Sequence, residues 1–482
     1  MIGRLAMLKQ LPAKHSIADI RQRATSLRHR WEAGEIEATD EIRTSLGGVL
    51  KVPLSDADAK LVTARTYGFA TWRQLEVFVT HSGAGSDFQQ LACLNYFDSD
   101  RPANRERARA MLDADPALGT RDIWSAACVG DARAVANFLD SDPALIDARG
   151  GYFDWEPLLY ACYSRLNLEG RSTLAVARLL IERSADPNAY YMWGGQYRFT
   201  ALTGVFGEGE MGPVNQPEHE DCDTMAQLLL DAGADPNDGQ ALYNTMFTPG
   251  SKCLEVLLEY GLSSEHRNNW LVEENGKLVD NPDRVLGYQL QWAVRKQHVE
   301  RARLLIDHGA DLAAASPDGY TLFEAALRAG HPDLAQYLAD HGAETVELDP
   351  RRLFVSACMR ADADAARMLL ESEPGVVRET QSADPQLLVD AAGSNRLAAV
   401  RLMLDLGFDP NPGDSTPTTP LHQAAFHGHI DMVKLLVDGG ARLDARDAHH
   451  AGTPLEWAVV AGQTEVEAYL ALSGIPTGFE NH

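Results

Sequence analysis

Runs of apolar residues at helical spacing return along the chain with the same polar endings. Leu304-Leu305-Ile306-Asp307-His308-Gly309-Ala310-Asp311 is echoed by Tyr337-Leu338-Ala339-Asp340-His341-Gly342-Ala343-Glu344, and the acidic ends lie 33 residues apart. Leu404-Asp405-Leu406-Gly407-Phe408-Asp409 and Val437-Asp438-Gly439-Gly440-Ala441-Arg442 repeat the pattern, again 33 apart. The step between the two pairs is 65, two periods less one residue. Self-similarity at a fixed period predicts stacked units, each too small to bury its own apolar stripe.

One period shows how the unit is built. In Thr419-Pro420-Leu421-His422-Gln423-Ala424-Ala425-Phe426-His427-Gly428-His429, Thr419 suits an N-cap and Pro420 the first helical turn. Ala424 and Ala425 let neighbouring helices approach, and Gly428 ends the helix. Ile430, Val433, Leu435 and Leu436 give a second helix its stripe, and Gly440 closes it. Thr453-Pro454-Leu455 repeats the start, with weaker copies at Glu156-Pro157-Leu158, Thr200-Ala201-Leu202 and Thr321-Leu322-Phe323. Second helices end on Ala185-Asp186-Pro187-Asn188, Ala234-Asp235-Pro236-Asn237 and Asp409-Pro410-Asn411.

These residues resemble the ankyrin consensus T-P-L-H-x-A-A, and 33 is the ankyrin period. The resemblance covers about residues 86–475. It implies an all-α ankyrin-repeat solenoid of about ten helix–turn–helix repeats, with His422 as the family's structural hydrogen-bonder. Residues 1–85 read as a helical leader that caps the first repeat, and 476–482 as a tail. Within the leader, Leu61 to Leu75 resembles the lead-in of many bacterial ankyrin-repeat proteins, and Ser16 is placed to cap a basic helix reaching about Trp31. A basic recruitment arm is the alternative reading of that helix.

The period fails in two places. From Asp186 to Asp235 is 49 residues and from Ser263 to Asp311 is 48, whereas Asp235 to Ser263 is 28. Insertions therefore fall near 190–221 and 264–286, and insertions in repeat arrays map to loops that often carry the binding face. The second reads as a hairpin around Asn275-Gly276. Tyr152 and Trp155 mark a further inter-repeat finger, and Tyr191, Trp193 and Trp270 lie in the inserted ones. Aromatic rings of this kind anchor binding surfaces, or fold down as a local core. Tyr152, Trp155, Tyr191, Trp193, His219, Tyr243, Trp270 and Trp292 are the candidate binding residues.

Charge and chemistry narrow the partner. Against 43 Lys and Arg stand 69 Asp and Glu, a formal net charge of -26, which disfavours nucleic acid and anionic lipid. No stretch is long and apolar enough to span a membrane, so a cytoplasmic location is expected. The six cysteines contain no C-x-x-C pair and read as small buried hydrophobes. His219, between Glu218 and Glu220, has the composition of a general base or metal ligand, but an acidic solvated loop explains it as well. No nucleotide-binding or hydrolase motif appears; Gly204, Gly207 and Gly209 read as lying in or beside a helix rather than after a strand. No metal, cofactor or catalytic residue is therefore expected. The sequence predicts a protein-interaction scaffold working through its concave face and finger loops. The alternative is a small-molecule binder or enzyme, with an aromatic and acidic pocket closed by the two insertions.

Overall fold

The computed structural model describes residues 17–35, 38–39, 42, 54–67, 72, 75, 88–96, 100–274, 277–313, 319–412, 416–448 and 451–473. Among these the chain is mostly α-helical, and four short strands pair as two antiparallel ribbons. It divides into two compact units, Met1–Val285 and Leu286–His482.

The repeat chemistry forms as its residue types dictate. Thr419 caps Pro420–Phe426: its hydroxyl accepts from His422 N, and Thr419 N donates back to His422 Nδ1 at 3.2 Å. With Nδ1 accepting, Nε2 carries the hydrogen and reaches Gly452 O at 3.0 Å, tying one repeat to the next. Thr453 and Glu456 make the same reciprocal cap, and so do Thr200 and Thr203 in the first unit. Gly440, just past the helix Ile430–Asp438, has φ +88°, a conformation a side chain would strain.

The recurrent Asp-Pro-Asn is a connector between repeats. Asp186 turns the chain by accepting from Asn188 N at 2.9 Å. Asn188 Nδ2 then donates to Gly233 O at 3.1 Å, and its Oδ1 accepts from Asp235 N at 2.8 Å. Asn411 makes the equivalent pair with Gly440 O and Arg442 N. Asn237 donates to Arg267 O at 2.8 Å.

In the first unit, the expected basic helix runs Ile17–Glu32 and packs on Asp56–Thr66, burying Leu27, Ala59 and Val62. Ser16, residues 68–71 and 73–74 of the lead-in, and the tail 476–482 lie outside the described residues. The 190–221 insertion opens with a ribbon of β1 (Tyr190–Trp193) and β2 (Tyr197–Thr200), paired from Tyr190↔Thr200 to Trp193↔Tyr197. The predicted second hairpin is present as β3 (Leu271–Glu274) and β4 (Lys277–Asp280), with Leu271 opposite Asp280. Asn275 and Gly276 themselves fall outside the described residues.

One expectation is corrected. The helix Ala201–Phe206 follows β2 directly, so Gly204 and Gly207 do come after a strand. Their role is close packing. A Cβ on Gly204 would come within 2.4 Å of the Tyr163 ring, and one on Gly207 within 2.2 Å of Pro217 O. In the second unit, the helix Val376–Ala383 occupies the place of a finger between Ala363–Ser372 and Leu387–Gly393.

Candidate functional site

The finger residues of the first unit converge. Trp155 lies between Phe153 and Tyr191, ring centroids 4.2 and 4.6 Å away and both stacked. Tyr152 meets Phe153 edge-on at 5.0 Å. Tyr191 stacks on Phe199 at 5.3 Å, and Phe199 lies 6.2 Å from Trp193. Trp193 continues to Tyr197, Tyr197 to Trp270 and Trp270 to Tyr243, at 6.0, 5.2 and 5.1 Å. Three fingers thus share one unbroken chain of rings. The six sequence-named rings in this chain are all buried, from Tyr152 at 1% exposed to Tyr191 at 7%. Such offset and edge-on pairs add about 0.5–1.5 kcal/mol each beyond the area they bury. Trp292 belongs to the second unit, on the helix Val285–Arg295, with Lys296 Nζ 5.3 Å from its ring.

The alternation that builds β1 is hidden by its composition. Tyr190, Tyr191, Met192 and Trp193 are all large and apolar, yet Tyr191 and Trp193 are buried while Tyr190 and Met192 are half-buried. Arg198, exposed on β2, sits 4.5 Å over the Tyr190 ring and forms the outer surface of the finger.

The segment 207–221 is fixed at close intervals. Arg165, 6% exposed, is its anchor: Nε donates to Pro217 O at 2.9 Å and Nη2 to Gly204 O at 2.6 Å, while Nη1 reaches Cys162 O and Ser164 O at 3.0 Å. Arg105 holds Val214 O and Asn215 O at 3.1 Å. Buried Asp100 accepts from Tyr96 N at 2.9 Å and Gln216 Nε2 at 3.1 Å, and burial pushes its carboxyl up to about 6. Three acidic residues of the segment have partners: Glu208 accepts from Thr248 at 2.8 Å, Glu210 from Tyr243 at 2.5 Å and Glu218 from Lys252 at 2.9 Å.

His219 is neutral in this setting. Asp221 N donates to its Nδ1 at 3.0 Å, so Nε2 carries the hydrogen toward Thr173 Oγ1, 2.8 Å away. At 2% exposed, its pKa is lowered to about 3, chiefly by burial and then by the charge of Arg165. Both ring nitrogens are engaged in holding the segment, which leaves neither for a reacting proton. Among the described residues, no group of three or more His, Cys, Asp or Glu is arranged to hold a metal ion.

Sequence reasoning missed four further rings, Tyr197 and Phe199 together with Tyr96, 4.9 Å from Phe199, and Tyr163, 5.6 Å from Tyr191, and it missed Arg165 as the anchor. One signal for Arg165 was present. Where Gly130 ends the preceding first helix after Ala127-Cys128-Val129, Ser164 follows Ala161-Cys162-Tyr163, so the regular turn is absent. The six cysteines are free and buried, as expected; Cys93 Sγ and Cys128 Sγ lie 3.7 Å apart. No helix of the described residues is long and apolar enough to cross a membrane.

Comparison with known proteins agrees with this architecture. The profile of the family described as ankyrin repeats, three copies, matches residues 269–349 and 388–478. The chain is 36% identical over 116 residues to the Bos taurus cyclin-dependent kinase 4 inhibitor B, a match spanning 24% of this chain and 86% of the bovine protein. It is 34% identical over 128 residues to the Homo sapiens cyclin-dependent kinase inhibitor 2A, spanning 26% of this chain and 80% of the human one. Similarity at 34% over 101 residues to the Oryza sativa subsp. japonica E3 ubiquitin-protein ligase XB3 covers only 22% of that protein.

Proposed function

This chain belongs to the ankyrin-repeat family, and from that premise we propose that it is a cytoplasmic binding protein, a scaffold for a protein partner. In this reading about ten repeats stack as a solenoid, and the concave face and finger loops receive the partner. One observation carries it. The match spans 86% of the bovine relative, whose name is that of a kinase inhibitor, so repeats of this kind act on another protein with little else attached. The ring chain supports the reading from beneath. Tyr152, Trp155, Tyr191, Trp193, Tyr243 and Trp270 give the fingers a rigid base, and a pre-ordered loop loses less entropy on binding than a mobile one. His219 fixes the adjoining segment in the same way. A net charge of -26 argues against nucleic acid as the partner.

The test uses a photo-crosslinking residue placed in the full chain at either of two exposed positions. One is Arg198 on the β1–β2 finger; the other is Arg178 on the second helix Thr173–Glu182. The Arg198 position is expected to capture one protein in stoichiometric amount from native lysate, and the Arg178 position none. Capture from Arg178 alone, or no protein from either, contradicts the reading.

A further inference from the structure

Four buried polar atoms without a hydrogen-bond partner come together in the first unit, beside the segment 208–210. On the helix Gly239–Asn244, Gln240 Nε2 donates to Asn244 Oδ1 at 2.8 Å, which leaves Gln240 Oε1 and Asn244 Nδ2 unpartnered. The two residues are 5% and 2% exposed. The Asn244 amide faces the Tyr96 hydroxyl, and the Tyr191 hydroxyl faces that of Tyr163, yet neither Tyr96 nor Tyr191 closes a hydrogen bond there. The Tyr96 and Tyr191 rings both pack on Phe199, with centroids 4.9 and 5.3 Å away.

These groups are held where they are and cannot close up on one another. Tyr96 has φ +58°, a left-handed conformation that a bulky residue keeps only when its surroundings impose it. Its N–H is fixed to Asp100 Oδ2 at 2.9 Å. Tyr191 is fixed by its place opposite Phe199 in the β1–β2 ribbon. The segment 208–210 is bound to the same helix and the turn after it: Glu210 accepts from Tyr243 and Glu208 from Thr248. A Cβ on Gly209 would come within 3.3 Å of the Tyr96 ring. A native fold pairs nearly all of its buried polar atoms, so a rigid cluster left bare calls for the donors and acceptors of a bound molecule.

The unused groups describe the molecule that fits. Asn244 offers a donor and Gln240 an acceptor one helical turn apart, the complement of a carboxamide's own C=O and N–H. Burial keeps both phenols protonated, so each adds a neutral hydroxyl. Among the charged groups that act on Tyr96 and Asp100, Arg105 and Arg165 balance Asp100 and Asp238, so a charged ligand would find no counter-ion to spare. Tyr96, Tyr191 and Phe199 supply ring faces for a flat molecule. We propose that Tyr96, Tyr191, Gln240 and Asn244 form a binding site for a small neutral carboxamide carried on a planar ring. This site goes beyond the scaffold reading and does not depend on it.

Titration of the full chain with nicotinamide, and with nicotinate as its charged isostere, tests the site by ligand-observed saturation-transfer NMR. Nicotinamide is expected to bind in the millimolar range and nicotinate roughly tenfold more weakly, because the carboxylate lacks the N–H donor and meets no free cation. Gln240→Met combined with Asn244→Leu removes both amides while keeping their shape. This double variant is expected to abolish nicotinamide binding with Tm held or raised, since exchanging a polar pair for apolar groups of the same shape is close to neutral. Tyr96→Phe, which loses only the hydroxyl, is expected to weaken binding severalfold with Tm unchanged. No saturation by nicotinamide, equal saturation by nicotinate, or binding that survives both variants overturns the site. A clear fall in Tm in the double variant overturns it too, because the amides would then be structural.

Discussion

Arg165 illustrates how one residue sets the conformation of a long segment. Its guanidinium is buried without a carboxylate in contact, and its hydrogen bonds go to backbone carbonyls, including those of Pro217 and Gly204. Desolvating a cation is expensive, and only full hydrogen bonding offsets it. Lysine cannot copy the arrangement, because its ammonium lacks the planar fork that reaches several carbonyls at once. Arg165→Lys and Arg165→Ala are both expected to lower stability by about 3–5 kcal/mol, the range for breaking a buried charged network. Hydrogen exchange over 207–221 should rise in both variants, while exchange in the second unit stays unchanged. Protection of 207–221 retained in Arg165→Ala would show that Arg105 and Gln216 suffice to hold the segment.

At the scale of elements, the ring chain is the part of the first unit that depends most on long-range assembly. Trp155 stacks on a residue of its own finger and on Tyr191 of β1, 36 positions later in the chain. Trp155→Ala removes both stacks and leaves a void that β1 and β2 cannot close, at an expected cost of about 3–5 kcal/mol. Urea unfolding followed by tryptophan fluorescence checks this, and a loss below about 1 kcal/mol would mean that the ribbon stands without the ring. The same element shows what the sequence revealed and what it hid. Thr-Pro-Leu starts, Asp-Pro-Asn turns and the Asn275-Gly276 hairpin were readable because each is a local rule, settled within a few residues. The β1–β2 ribbon was not, since four consecutive large side chains mask a period of two that only burial exposes. Nor was the meeting of Tyr152, Tyr191 and Trp270, because the fingers approach through the stacking of repeats and not through anything local. The helix Val376–Ala383 was equally hidden: the period there changed by a single residue, so a finger and a helix were indistinguishable by length.

For the molecule as a whole, protonation links many of these buried groups to stability. His219 is held down to about 3, and His298 and His331 to about 4, in each case mainly by burial. His422 and His429 are lowered for the same reason. An unfolded chain charges its histidines near pH 6.5, whereas the fold refuses those protons until far lower pH. Stability is therefore fully present above pH 6.5 and falls as pH drops toward 4, where the unfolded state binds more protons. Asp100 acts in the opposite sense. Its carboxyl is raised from 3.8 to about 6, so its contribution is complete below 3.8 and lost as pH rises through 6. Asp238, Glu220 and Glu324 are raised as well, burial being the largest cause, and share that sign. The histidines dominate by number, since His427 is also lowered to about 4 and Asp100 is set against four such rings. Melting followed by circular dichroism is expected to give a lower Tm at pH 5 than at pH 7.5. His219→Gln, which cannot take up the proton, should narrow that gap, and Asp100→Asn should widen it because the opposing group is gone. A Tm that is equal or higher at pH 5, or a gap that both substitutions leave alone, would mean that the acid response is set by the exposed carboxylates and not by these buried groups.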